Sequence, residues 1–222
     1  MQLEIREFQK LIKELPYLKH SFDIKKKNWK VQSQQSLINE VFDANEVITL
    51  NRYDLKEAIH FDLKLFILKT LMWGYPTKGR GNNLNNLLKD EKFELLTSTL
   101  YKYHESTITI KQLSEDIKSI PGLGLSTMSK FVYFLDARLD GHKTLILDNR
   151  IIQVINSDSY KELNGLKGIR SGNAILKYPL YCETMDKLAQ SIDVESDQIE
   201  MFLFMFGSNL SRVYGEHVYD VG

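Results

Sequence analysis

The sequence predicts a mainly α fold. Apolar residues recur at helical spacing in several separate runs, one further run is apolar on nearly every face, and proline and glycine punctuate the runs. The 222 residues suffice for one moderate core or two small lobes. With 43% hydrophobic and 26% charged residues, the composition is that of a globular chain rather than a disordered one.

The segment from Asn28 to Leu50 has a weak pattern that admits short strands or helix pieces. Leu63 to Trp73 is apolar nearly all round and reads as a central buried helix. Ile110, Leu113, Ile117 and Ile120 keep helical spacing up to Pro121, where a helix stops. Met128, Phe131, Val132 and Leu135 follow the i, i+3, i+4, i+7 template, as do Met185, Leu188, Ala189 and Ile192. The last such run is Ile199, Phe202, Leu203 and Phe206, with Ser196 the expected N-cap and Gly207 the expected stop. The prolines at 16, 76, 121 and 179 are expected between helices.

Composition also removes function classes. No apolar run reaches the roughly 18 residues of a membrane span, and MQLEIREFQK lacks the basic-then-apolar pattern of a signal peptide. The single cysteine, Cys182, excludes an internal disulfide, a cysteine-built zinc site and a cysteine-ligated iron–sulfur cluster. A cytoplasmic compartment is expected. His20, His60, His104, His142 and His217 are scattered without metal-ligand spacing. No P-loop lysine, dinucleotide fingerprint or nucleophile elbow is present. The 29 basic residues are balanced by 29 acidic ones, which counts against a protein that coats nucleic acid. Local basic clusters remain: Lys25, Lys26, Lys27 and Lys30, and then Lys118, Lys130, Arg138, Lys143 and Arg150 around the motif described next. Each also reads as solvated surface.

The most informative run is Lys118-Ser-Ile-Pro-Gly-Leu-Gly-Leu-Ser-Thr-Met-Ser-Lys130, which sets Pro-Gly-x-Gly between two amphipathic helices. Glycines there permit backbone angles closed to other residues and remove side chains that block close approach. The second helix starts directly afterwards, so its free N–H groups and positive dipole end can take a DNA phosphate. A tight helix–helix turn uses glycine in the same way. Further on, Leu145-Ile-Leu-Asp-Asn-Arg150 puts Asp148 at the start of the apolar segment Ile151, Ile152, Val154, Ile155. Aspartate caps helices well, and a carboxylate beside a phosphate-binding turn could also stabilise a cationic sugar.

The stretches IPGLGLSTMSKFVYFL and LILDNRI resemble the helix–hairpin–helix DNA glycosylase superfamily, and within it the 8-oxoguanine glycosylase branch. Met72-Trp-Gly-Tyr-Pro-Thr-Lys-Gly-Arg-Gly-Asn-Asn-Leu84 and Phe206-Gly-Ser-Asn-Leu-Ser-Arg212 add to the likeness, which runs over roughly residues 60 to 212. The resemblance implies a two-lobed helical fold with a DNA cleft between the lobes. Residues 1–55 form an N-terminal segment completing the helical core, too short for the whole extra N-terminal domain of larger relatives. Residues 56–222 form the glycosylase-like domain, in one compact unit with that segment.

It further implies a monomer acting in base excision repair on double-stranded DNA that carries a lesion or modified base, associated with the nucleoid. Such an enzyme extrudes its target nucleotide into a pocket. By resemblance, Gly122, Gly124 and Ser126 belong to the DNA-gripping hairpin, and the carbonyls of Lys118, Ile120 and Leu123 match those that hold a monovalent cation, sodium or potassium. No cofactor is required and no iron–sulfur cluster is expected. Arg150 matches a phosphate-contacting position. Asn82 and Asn83, with Arg80 nearby, match the loop that fills the gap left by the extruded base, though a polar turn before a helix reads the same. Phe206 matches the aromatic wall of the base pocket, though ordinary core packing is the alternative.

One departure bears on the chemistry. Bifunctional relatives carry a lysine nucleophile two residues after the second hairpin glycine, where this chain has Ser126. Asp148 would then stabilise the oxocarbenium and direct a water, giving monofunctional excision. Lys130 lies one turn further along the same face, at a position that lines the base pocket in the family. Side chains lean toward a helix N-terminus, so Lys130 can reach back either as the missing nucleophile or to read the base. A surface or phosphate-binding lysine is the alternative. Two other functions stay open: a catalytically silent DNA-binding protein of this fold, and an interaction scaffold whose hairpin is only a turn.

Overall fold

Short polar side chains set where several helices begin. Asn51 and Asp54 form a reciprocal capping box, each side chain accepting the other's backbone N–H at 2.9 Å. Asp62, Thr109 and Asp148 cap three further helices through a side-chain oxygen. The computed structural model describes residues 2–79 and 82–210, and over these the chain is mainly helical.

The helices are α1 (Gln9–Lys13), α2 (Gln35–Phe42), α3 (Arg52–Ile59), α4 (Leu63–Gly74), α5 (Asn83–Leu87) and α6 (Asp90–Tyr101). They continue as α7 (Ile110–Ser119), α8 (Leu125–Phe134), α9 (Asn149–Asn156), α10 (Ala174–Ser191) and α11 (Ser196–Phe202). The weakly patterned segment contains both kinds of structure. β1 (Ser21–Lys25) pairs antiparallel with β2 (Val47–Asn51), Phe22 opposite Leu50, and α2 lies between them in sequence. A smaller sheet joins β3 (Thr107–Ile108), β4 (Arg138–Leu139) and β5 (His142–Lys143).

The apolar run at 63–73 is α4, and Phe66, Ile67, Leu68, Leu71, Met72 and Trp73 are all buried in it. Its neighbours in the same hydrophobic cluster extend from Ile5 to Leu203.

Four expectations are corrected. The last helix is capped by Glu195, not Ser196, because Glu195 and Gln198 satisfy each other's backbone N–H groups. Gly207 does not end it. The backbone widens into a π-turn, Leu203–Gly207, and helical structure resumes at 208–210. A Cβ on Gly207 would come within 2.8 Å of Val154 Cγ1, so glycine there permits close packing on α9. Pro179 lies inside α10, not between helices; buried Tyr178, Tyr181 and Cys182 hold that turn in the core against one missing backbone bond. Nor is the second basic cluster a single surface. Lys130 is buried, and Lys143 is ion-paired to the buried Asp197.

Candidate active site

The glycine turn joins α7 to α8. Leu123 N–H donates to the Ile120 carbonyl at 3.0 Å, enclosing Pro121 and Gly122, and Gly122 has φ +95°. Proline then glycine at those two places is the requirement of a type II turn. Gly124 precedes α8 in extended conformation without a side-chain cap, so the first N–H groups of α8 face outward. Asn83 packs on the turn: a Cβ added to Gly122 would lie 3.5 Å from the Asn83 carbonyl oxygen. The resulting open groove, about 370 Å³, is lined by Lys78, Asn83, Gly122, Gly124 and Ser126, among others. Asn82 is exposed just before α5, while Arg80 falls outside the described residues.

Asp148 is held by the segment that leads to it. Tyr178 and Tyr181 hydroxyls donate to the carbonyls of Leu145 and Ile146 at 2.7 and 3.0 Å. Leu147 N–H donates to Ser129 Oγ at 3.1 Å. The extended strip 145–147 is thereby fixed between α8 and α10. Asp148 Oδ1 accepts the N–H groups of Arg150 and Ile151, both at 3.0 Å, and among the described residues Oδ2 makes no hydrogen bond.

Lys130 and Asp148 line one cavity of about 40 Å³, with His20, Arg52, Glu200 and Phe204 in the same wall. Lys130 is only 5% exposed and leans back one turn, its Nζ 2.7 Å from the Ser126 carbonyl and 3.4 Å from Ser126 Oγ. The ammonium also lies 5.5 Å from the Tyr75 ring centre. No carboxylate is within ion-pair distance of it among the described residues. Burial lowers its pKa, opposed by the more distant charges of Asp148 and Glu200. Gly74 makes room for it: a Cβ there would meet Lys130 Cδ at 2.8 Å.

In the same cavity, Arg52 is paired. Its Nη2 donates to Glu200 Oε2 at 2.7 Å and its Nη1 to the Tyr133 hydroxyl at 3.2 Å, with both ionic side chains 1% exposed. Burial pushes the Glu200 carboxyl up to about 7 against the attraction of Arg52. At the cavity's edge Arg150 is exposed and lies 4.7 Å from the centre of the Phe204 ring. Phe204, within the π-turn, lines the cavity, whereas Phe206 packs toward Phe202 at 6.2 Å and does not line it. The π-turn rotates the side chains that follow it relative to a regular helix, and π-turns recur at functional sites. Sequence reasoning missed His20, Arg52 and Glu200. They come from separate parts of the chain, and no local pattern links them.

The site thus defines a helical protein with a glycine-turn groove beside a buried lysine and a helix-capping aspartate. Over residues 16–204 the sequence matches the family described as "Putative 8-oxoguanine DNA glycosylase OGG-like protein", and the chain belongs to that family. Neither a curated protein nor a solved structure matches it.

Proposed function

We propose that this chain is a DNA base-excision glycosylase that extrudes a damaged or modified base and cleaves its N-glycosidic bond, with 8-oxoguanine the first base to test. The observation that carries the reading is the meeting of Lys130 and Asp148 in one cavity, beside the groove at the glycine turn. Membership of a family described as glycosylase-like adds to it.

On this reading a duplex lies along the groove. The N–H groups at the start of α8 hold a phosphate, with Gly122, Gly124 and Ser126 allowing close approach. Arg150 takes another phosphate, and Asn82 and Asn83, with Arg80, fill the gap in the stack. A monovalent cation fits the turn: among the described residues the Lys118 and Leu123 carbonyls accept no backbone N–H, and that of Ile120 accepts one. These three carbonyls would hold it, and its charge would draw in a phosphate. A cavity of 40 Å³ holds only a few waters at roughly 10–15 Å³ each, so a base enters by displacing Phe204, which then stacks on it. That assigns to Phe204 the wall expected of Phe206.

As the bond breaks, the base leaves with the electron pair and C1′ becomes an oxocarbenium. The charge of Asp148 stabilises that cation. Two routes then complete the reaction. A water adds to C1′ and passes its proton to Asp148, leaving an abasic site. Alternatively the Lys130 amine, once deprotonated, adds to C1′ and passes one proton to Asp148. The C1′–O4′ bond then opens, O4′ taking that proton, to leave a protonated imine, and loss of a C2′ proton expels the 3′-phosphate and breaks the strand. The lowered pKa of Lys130 supports the second route.

The test is incubation with a labelled duplex bearing 8-oxoguanine opposite cytosine, with and without hot alkali, and with a borohydride trap. Cleavage only after alkali means the water route. Cleavage without alkali, plus an adduct lost in Lys130→Met, means the amine route. Binding without excision on any lesion would make the chain a silent DNA-binding protein and end the proposal.

A further inference from the structure

The cavity wall contains a histidine for which neither packing nor bond cleavage supplies a use. His20 stands just before β1, and its imidazole meets three aromatic rings, at 4.9 Å for Phe22, 5.3 Å for Phe204 and 5.5 Å for Trp73. Its carbonyl accepts the Trp73 indole N–H at 3.2 Å, which fixes its backbone. Its Nδ1 is buried and has no hydrogen-bond partner among the described residues. A phenylalanine would fill the same aromatic cage without an unpaired polar atom, so the histidine is costly where it stands. Such a group, on the wall of a cavity that also holds Lys130 and Asp148, is suited to a polar ligand.

We propose that His20 reads the extruded base, its Nδ1 hydrogen-bonding to the polar edge of a neutral heterocycle once Phe204 has moved aside. The assignment rests on the cavity being the base pocket. Burial first, and then the charges of Arg52 and Arg150, hold the His20 pKa at about 4, so the ring is neutral near pH 7. A neutral imidazole offers one N–H and one bare nitrogen, and can meet either an acceptor or a donor on the base. Cationic bases are disfavoured. Arg52 lies 5.4 Å from the Trp73 ring centre and Arg150 4.7 Å from that of Phe204, so rings that would attract a charged, alkylated base already face guanidinium groups.

The experiment compares wild type, His20→Phe and His20→Asn in single-turnover excision of 8-oxoguanine, hypoxanthine, uracil and the cationic 7-methylguanine, each placed in a duplex. Affinity for a duplex with a tetrahydrofuran abasic-site analogue is measured alongside. His20→Phe is expected to slow excision of the preferred base about tenfold to a hundredfold, as loss of one buried hydrogen bond does. It is expected to change the ranking of the bases and to leave abasic-duplex affinity unaltered. His20→Asn, which keeps a donor and an acceptor, is expected to recover part of the loss. An equal loss on every base, a parallel loss of abasic-duplex affinity, or no loss at all overturns the role of His20 alone. Preference of the wild type for 7-methylguanine overturns the neutral class. A wild type that excises none of the four bases overturns the glycosylase reading and this assignment with it.

Discussion

Two buried cations share one small cavity and are treated in opposite ways. Arg52 is paired to Glu200 at 2.7 Å and to Tyr133, whereas Lys130 is held by a main-chain carbonyl and a hydroxyl of its own helix. A buried cation with a carboxylate keeps its charge and serves as structure. One without a close carboxylate is pushed toward its neutral form, and a neutral amine can react. On the proposed function, the difference separates a structural end of the site, Arg52 with Glu200, from a chemical end, Lys130 with Asp148.

The sharpest way to break the comparison is at the chemical end. Asp148→Asn is expected to lower single-turnover excision about 10²- to 10⁴-fold. Asparagine still caps α9, so stability should stay within about 1 kcal/mol of wild type in urea unfolding. A variant that keeps both its activity and its fold would remove Asp148 from the chemistry.

At the structural end the expected effect is on folding. Arg52→Met leaves Glu200 buried and unpaired, and should cost about 3–5 kcal/mol in the same unfolding assay. Replacing both partners, with Arg52→Met and Glu200→Leu together, is expected to recover most of that loss. If the single and double variants are equally unstable, the pair does more than neutralise itself.

Ser129→Ala sharpens the comparison from between the two ends. It deprives the buried Leu147 N–H of its acceptor, at a cost of about 1–3 kcal/mol, and loosens the strip that fixes Asp148. Activity should therefore fall along with stability, and a loss of stability alone would show that the strip does not position the carboxylate.

The last expected effect is one of pH. The folded-state pKa of His20 is depressed from 6.5 to about 4, so its contribution to stability is present above 6.5 and is lost as pH falls toward 4. The stability difference between wild type and His20→Phe, followed by thermal unfolding, should shift against the wild type across that window. A constant difference would mean that His20 is not held neutral.

Much of the α fold was legible because its signals are local. Pro121 and Gly122 mark their turn, Asp148 precedes its apolar segment, and Lys130 sits one turn from Ser126 on the same face. What escaped depends on partners far apart in sequence. β1 and β2 are separated by α2, so their pairing leaves only a brief alternation in Phe22 and Ile24. Pro179 is held in a helix by the packing of its neighbours, against its own preference. Gly207 carries the residue type of a helix end but exists for contact with Val154. His20, Arg52 and Glu200 become one wall only in three dimensions, which is why the cavity was legible at its lysine and aspartate and not beyond them.

Gly74 has a consequence for how such chains vary. The last residue of α4 and a lysine on α8 occupy one space, and a single methyl group at 74 would collide with the stem of Lys130. The two positions are therefore not free to drift separately. A descendant that lost the glycine would have to shift or shorten the lysine, and one that lost the lysine would be released to accept alanine, the better helix former. Glycine at 74 and lysine at 130 are expected to vary together, and their joint presence or joint loss across related sequences would sort those that keep an amine in the cavity from those that have given it up.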